Sequence, residues 1–119
     1  MLRSHHFSAI LTASPATYAW AAADFLKLLK QAAEQARLTP VGELAFTFPE
    51  QGISAVVLLE ESHVALHFWP EQGKVSVDIH VCDYEQDNLG KAEVLAEVLA
   101  LQISGDRGHE QWHNLSVTR

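Results

Sequence analysis

"ISAVVLLEESHVALHFWPEQGKVSVDIHVC", residues 53–82, decides the fold. Residues 53–60 are β-branched and apolar, as in a buried strand. Residues 63–69 read as a second strand, interrupted from the first near Glu61 and Ser62. "PEQG" at 70–73 is a turn signal. In residues 74–82 the alternation is clean. Val75, Val77, Ile79 and Val81 face one way, and Ser76, Asp78, His80 and Cys82 face the other. Three strands joined by turn-length links make an antiparallel meander.

The flanks extend this pattern. Residues 5–12 read as a first strand. Ser14 and Pro15 form a helix start, and the spacing of Leu26, Leu29, Ala33 and Ala36 predicts one long helix over 15–37 that ends before Pro40. Residues 42–48 form a strand closed by another "PEQG" turn at 49–52. Residues 90–103, with Val94, Leu95, Val98, Leu99 and Leu101, form a second helix that "SGDRG" ends, and 111–118 supply a last strand. The order β-α-β-β-β-β-α-β predicts a single α+β domain over 1–119, a two-layer sandwich with an antiparallel sheet and two helices on one face.

Bulk composition narrows the function. At 119 residues and 48% hydrophobic, the chain can bury a core. Its net charge of −7 and lack of a Lys/Arg cluster argue against nucleic acid and against an anionic membrane surface. No segment approaches the roughly 18 apolar residues that span a bilayer. Ser8, Thr12, Ser14 and Pro15 interrupt what could otherwise pass for a signal peptide. The single cysteine, Cys82, excludes an internal disulfide and fits a reducing, cytoplasmic setting. The histidines at the chain ends, His5, His6, His109 and His113, read as surface residues.

Within 60–82 lies more chemistry than a packing strand needs. Ser62 has no G-x-S-x-G elbow, which argues against a hydrolase nucleophile. His63 and His67 have no evident third ligand, so no metal site is expected. Taken alone, Ser62 could end a turn, both histidines could be polar-face residues, and Cys82 could be a small buried hydrophobe.

Taken together, residues 52–82 resemble the core of the bacterial and archaeal class of S-adenosylmethionine decarboxylases. Gly52, Ser54, Glu61, Ser62, His63, His67, Trp69, Pro70, Glu71, Gly73, Asp78 and Cys82 match the pattern without a gap. The resemblance implies self-processing. Ser62 attacks the carbonyl of Glu61, an N-to-O acyl shift gives an ester, and β-elimination cuts the chain into 1–61 and 62–119, leaving a pyruvoyl group in place of Ser62. His67 assists the elimination and Ser54 supports the intermediate. The pyruvoyl then forms a Schiff base with S-adenosylmethionine and acts as the electron sink for decarboxylation, which yields the aminopropyl donor for spermidine synthesis. Cys82 supplies the proton; an ordinary thiol, with a pKa of about 8.5, keeps its proton at neutral pH. Phe48 and Trp69 stack on the adenine or the sulfonium, Glu71 holds the ribose hydroxyls, and His63 adjoins the substrate. A homodimer of cleaved protomers, pairing the bare sheet faces, is also implied.

The chain departs from the pattern at Phe68 (Thr), Gln72 (Tyr), His80 and Val81 (Phe-Thr), Asp83 (Gly), and near Ile10, where an acid is usual. These changes leave open a pyruvoyl-dependent decarboxylase of another amino acid, such as ornithine or arginine, or a non-catalytic regulatory paralogue. Strict alternation also puts Ser62 and His67 on opposite faces, so the mechanism requires a bend or bulge between them, or a cleavage that lets Ser62 swing away.

Overall fold

The computed structural model describes residues 1–106 and 109–119. The elements are β1 (Arg3–Thr12), α1 (Ala22–Gln35), β2 (Pro40–Thr47), β3 (Ile53–Leu59), β4 (Ser62–Trp69), β5 (Lys74–Cys82), α2 (Leu89–Ser104) and β6 (His113–Thr118), with short 3-10 turns at Pro15–Ala19 and His109–Gln111. All pairings in the six-stranded sheet are antiparallel, in the order β2-β3-β4-β5-β1-β6. The expected α+β architecture is the one observed.

Period-2 patterning sorts the two faces of the sheet. Val57, Val64, Leu66, Val75, Val77 and Ile79 point into the core and meet Phe25 and Leu29 of α1 and Leu95, Leu99 and Ile103 of α2. Each such side chain contributes about 1.5–3 kcal/mol by leaving water. In α2 the small residues Ala92, Ala96 and Ala100 complete the buried face, whereas Val94 and Leu101 turn outward. Gly105, at φ 80°, stops this helix. The expected stop signal continues through Arg107 and Gly108, which lie outside the described residues.

The expected helix over 15–37 is two elements. Ser14 and Pro15 do start a helical turn, but it is a 3-10 turn that ends at Ala19, and Trp20 is extended. A new helix starts beyond Ala21, whose N–H donates to the Asp24 carboxylate at 2.8 Å. This acid in the first turn satisfies a donor that the helix leaves unpaired, and it sits where the macrodipole favours negative charge. At the other end Arg37 adopts φ 64°, and Leu38 N–H closes back to Ala33 O at 2.9 Å. Pro40 is the first residue of β2, at the edge of the sheet, where a missing N–H is tolerated.

Gly73 closes the β4–β5 turn at φ 66°, and a Cβ there would lie 2.9 Å from the Tyr18 hydroxyl. His5 is not a surface residue. It is 2% exposed and shares the inner face of β1 with Phe7, Ala9 and Leu11. His6 is half-buried on the outer face and His113 is exposed; the expectation for the His109 side chain falls outside the described positions.

Candidate active site

The β3–β4 connection is a two-residue turn, Glu60–Glu61, that pairs Leu59 with Ser62. Both turn residues are tied to the chain that follows α1. Glu60 N–H donates to Thr39 O at 2.9 Å, and the buried Glu61 carboxylate accepts from Thr39 N–H at 3.1 Å. Glu61 O accepts from Cys82 N–H at 2.8 Å. The carbonyl before Ser62 is therefore held by a donor on the neighbouring strand.

Ser62 has φ 147°, a region that side chains other than hydrogen rarely occupy. This is the departure from regular strand geometry that the alternation demanded. In register Ser62 stands opposite the buried Val81, yet its Oγ lies 3.3 Å from Cys82 Sγ, on the outer face. Residues 62 and 63 are both half-buried, and strict alternation resumes only at Val64.

Cys82 has a second neighbour, His80 Nε2, at 3.7 Å from its sulfur. The register places His63, His80 and His6 side by side across β4, β5 and β1. The His6 and His80 rings stack at 4.1 Å, and His63 meets His80 edge-on at 5.0 Å. Partial burial, then the nearby His6 and His63 imidazoles, push the His80 pKa below its ordinary value.

A second group lies further along the same face. Ser54 and His67 are directly opposite each other on β3 and β4, with Oγ 2.7 Å from Nδ1. They line a cavity of about 430 Å³ together with Phe48, Gly52, Trp69 and Glu71. Phe48 packs edge-on against Phe46 at 4.9 Å, and the Trp69 ring lies 6.5 Å from His67. Gly52, at φ 104°, lets the backbone turn beside the Phe68 carbonyl, which a Cβ would approach to 3.2 Å. The sequence-selected residues thus fall into two groups: Glu61, Ser62, His63 and Cys82 at one end of β4, and Phe48, Ser54, His67, Trp69 and Glu71 at the other. Ser62 and His67 are five positions apart, roughly 17 Å at strand rise.

Two of the departures from the family pattern border the second group, Phe68 as part of the cavity wall and Gln72 beside Trp69 and Glu71. Phe68 points into the core between Phe25 and Tyr18, and Gln72 is exposed in the β4–β5 turn. Asp83 supports Cys82 from behind. Its carboxylate accepts from Asn88 N–H at 2.9 Å and from His5 Nε2–H at 2.8 Å, while Asn88 Nδ2 donates to Cys82 O at 2.9 Å. His5 Nδ1 meets Ser116 Oγ at 2.9 Å. The Asn88 backbone N–H holds the Asp83 pKa below the usual carboxylate value; burial opposes it, and the His5 imidazole and then Arg3 add weaker downward effects. Sequence reasoning singled out neither Thr39 nor Asn88, since each acts through groups distant along the chain. His80 was visible on the polar face of its strand with Cys82, and Asp83 only as a departure.

Residues 6–105 match the family described as S-adenosylmethionine decarboxylase. The chain belongs to this family. Among its relatives are the S-adenosylmethionine decarboxylase proenzymes of Symbiobacterium thermophilum, 36% identical over 70% of this chain and 64% of the relative, and of Aquifex aeolicus, 32% identical over 79% and 67%. The chain thus spans about two thirds of these relatives' length, and 51% of the Pseudomonas paraeruginosa proenzyme, to which it is 40% identical over 66% of its own residues. The crystal structure of the adenosylmethionine decarboxylase from Aquifex aeolicus superposes with a TM-score of 0.75 at 27% identity, covering 98% of this chain and 89% of that one. The decarboxylase family fold therefore extends over nearly the whole chain, β6 included. Among the described residues, no helix is long and apolar enough to cross a membrane.

Proposed function

We propose that the chain is a proenzyme that cuts itself between Glu61 and Ser62, and that the cut form decarboxylates S-adenosylmethionine to the aminopropyl donor for spermidine synthesis. One observation carries this reading. A strained Ser62, at φ 147°, follows a carbonyl already polarised by Cys82 N–H at 2.8 Å. Strain at the scissile residue raises the ground state, and the N–H stabilises charge that develops on the Glu61 oxygen during attack.

Ser62 Oγ bonds to the Glu61 carbonyl carbon as the peptide C–N bond breaks. Loss of the residue-62 α-proton then breaks the Cβ–Oγ bond and leaves a carboxylate on Glu61. Water releases ammonia from the new terminus and a pyruvoyl group remains. Ser62, held in a tied turn and facing Cys82, fits this origin. The pyruvoyl ketone supplies the electron sink for loss of carbon dioxide from an α-amino acid. Cys82 presents its thiol as the proton donor for the carbon that loses its carboxylate. Phe48 and Trp69 offer ring faces to a sulfonium, an attraction of about 0.5–2 kcal/mol. Glu71 offers acceptors to ribose hydroxyls, and His63 borders the substrate beside Ser62.

Ser54 and His67 lie too far from Ser62 of their own chain to act on it. The outer sheet face carries exposed Ile10, Leu44, Phe46, Leu58 and Trp69, so a second copy packed on it would bury apolar surface. A two-fold axis running across the strands sets the Ser62–Cys82 end of one copy against the Ser54–His67 end of the other. In this homodimer His67 of the second copy removes the α-proton and Ser54 orients the imidazole through its 2.7 Å bond.

Mass spectrometry of the purified protein tests the processing step. Fragments 1–61 and 62–119 are expected, the second with a blocked N-terminus. Ser62→Ala abolishes the cut, and Cys82→Ala leaves it largely intact while turnover falls by at least about tenfold. An intact wild-type chain after long incubation overturns the reading. Labelled carbon dioxide is expected from S-adenosylmethionine; release from ornithine or arginine instead would retain the processing step and reassign the substrate.

A further inference from the structure

In the outer-face row His63–His80–His6, the central ring has no part in cutting the chain or in holding the substrate as read above, yet it lies against the Cys82 sulfur. We propose that His80 returns a proton to Cys82 after Cys82 has given one up. The inference rests on the decarboxylase reading above, in which Cys82 is the proton donor.

The geometry is direct. His80 and Cys82 are two residues apart on one strand, so both project from the outer face, with Nε2 3.7 Å from Sγ. Both lie in the piece 62–119, so the contact does not depend on the bond that is cut. Each turnover breaks one S–H bond and leaves a thiolate. A proton from water first charges the adjacent ring, the imidazolium so formed breaks one N–H bond, the S–H bond re-forms, and the ring is left neutral. An ordinary imidazolium is a stronger acid than an ordinary thiol by about two pKa units, so this transfer runs downhill.

The surroundings favour that direction. His6 of β1 stacks on His80 and His63 of β4 meets it edge-on; with partial burial they hold the ring below its ordinary pKa. Between turnovers His80 is then mostly neutral and does not pull Cys82 into a thiolate–imidazolium pair. The other polar groups at this end of the face are Ser4, which bonds His6 Nε2 at 3.2 Å, and Ser62. The carboxylate on the same face of β5 is Asp78, two residues before His80. The row reaches solvent through half-buried rings, which gives the proton a source.

Cys82 is the sole cysteine, so its chemistry can be read in isolation. The test compares the full-length processed protein with His80→Phe and His80→Gln. Iodoacetamide labelling of Cys82 is followed by mass spectrometry between pH 5.5 and 10. Because His80 protonates the sulfur rather than ionising it, both variants are expected to label no more slowly than wild type at pH 6–7 and alike at the high-pH limit. Several-fold slower labelling of the variants at pH 6–7, the mark of a thiolate–imidazolium pair, overturns the proposal. In steady state, both variants should lose about tenfold in kcat with KM little changed, and added imidazole should restore part of the loss in His80→Gln. An unchanged kcat, or no rescue, also overturns it. A wild-type chain that releases no carbon dioxide from S-adenosylmethionine sinks the decarboxylase reading instead, a failure that leaves the labelling profiles to report the Cys82–His80 pairing separately.

Discussion

Ser62 concentrates the chemistry of this chain in one backbone angle. At φ 147° it accepts a conformation that costs of the order of 1–3 kcal/mol for a residue with a Cβ. The sheet pairing on both sides of β4 and the Thr39 links to Glu60 and Glu61 hold it there. Glycine at this position should relieve that strain. Neither Ser62→Gly nor Ser62→Ala can cut, so both can be unfolded as intact chains. Ser62→Gly is expected to be the more stable by about 1–2 kcal/mol in urea, reversing the usual order of alanine over glycine. Equal stabilities would show that Ser62 is relaxed. The need for such a feature was legible in the sequence, because period-2 counting set Ser62 and His67 on opposite faces. Its form was not: serine is not a residue that announces a positive φ. His5 was legible too, since it alternates with Phe7, Ala9 and Leu11, but a histidine near a chain end invites a surface reading. What buries it is Asp83 and Ser116, which lie 78 and 111 residues away.

At the scale of elements, the strands were the readable part. β5 alternates without exception, and its four buried positions are the four that the sequence marks. The helix over 15–37 misled because apolar spacing continues across the break at Trp20. The local signal was Asp24, three residues after Ala21, which marks a helix start even without a Ser or Thr cap. Element parity also sorts the departures from the family pattern. Phe68, where the pattern has Thr, faces α1 and rests on Phe25 at 5.6 Å and Tyr18 at 5.5 Å. Phe68→Thr should therefore behave as a core truncation, destabilising by about 2–4 kcal/mol in a denaturant titration. Carbon dioxide release per folded molecule should be unchanged at low temperature. A changed preference among substrates would instead show that the part of Phe68 bordering the cavity contacts the substrate.

For the whole molecule, the decisive point is the distance between two groups that the proposed chemistry requires together. One sheet face holds Ser62 with Cys82 at one end and Ser54 with His67 at the other, and no single-chain motion short of breaking β4 joins them. Sequence spacing could not reveal this, because five residues look close in a chain and are far apart in a strand. Co-expression of Cys82→Ala and His67→Ala chains tests the shared site. Each variant alone should be nearly inactive, while random pairing makes half the dimers hybrid with one intact site of two, or about a quarter of wild-type activity. No recovery in isolated hybrids would exclude a site built from two copies. The sheet order has a further consequence. β1, from the piece ending at Glu61, lies between β5 and β6 of the other piece, and β2 and β3 continue the sheet beyond β4. Scission would therefore release no fragment: the two peptides are interleaved in one sheet and part only if it melts. After that the way back is a bimolecular search. A chain that folds alone thus becomes, through its own chemistry, an assembly whose recovery from denaturation depends on concentration.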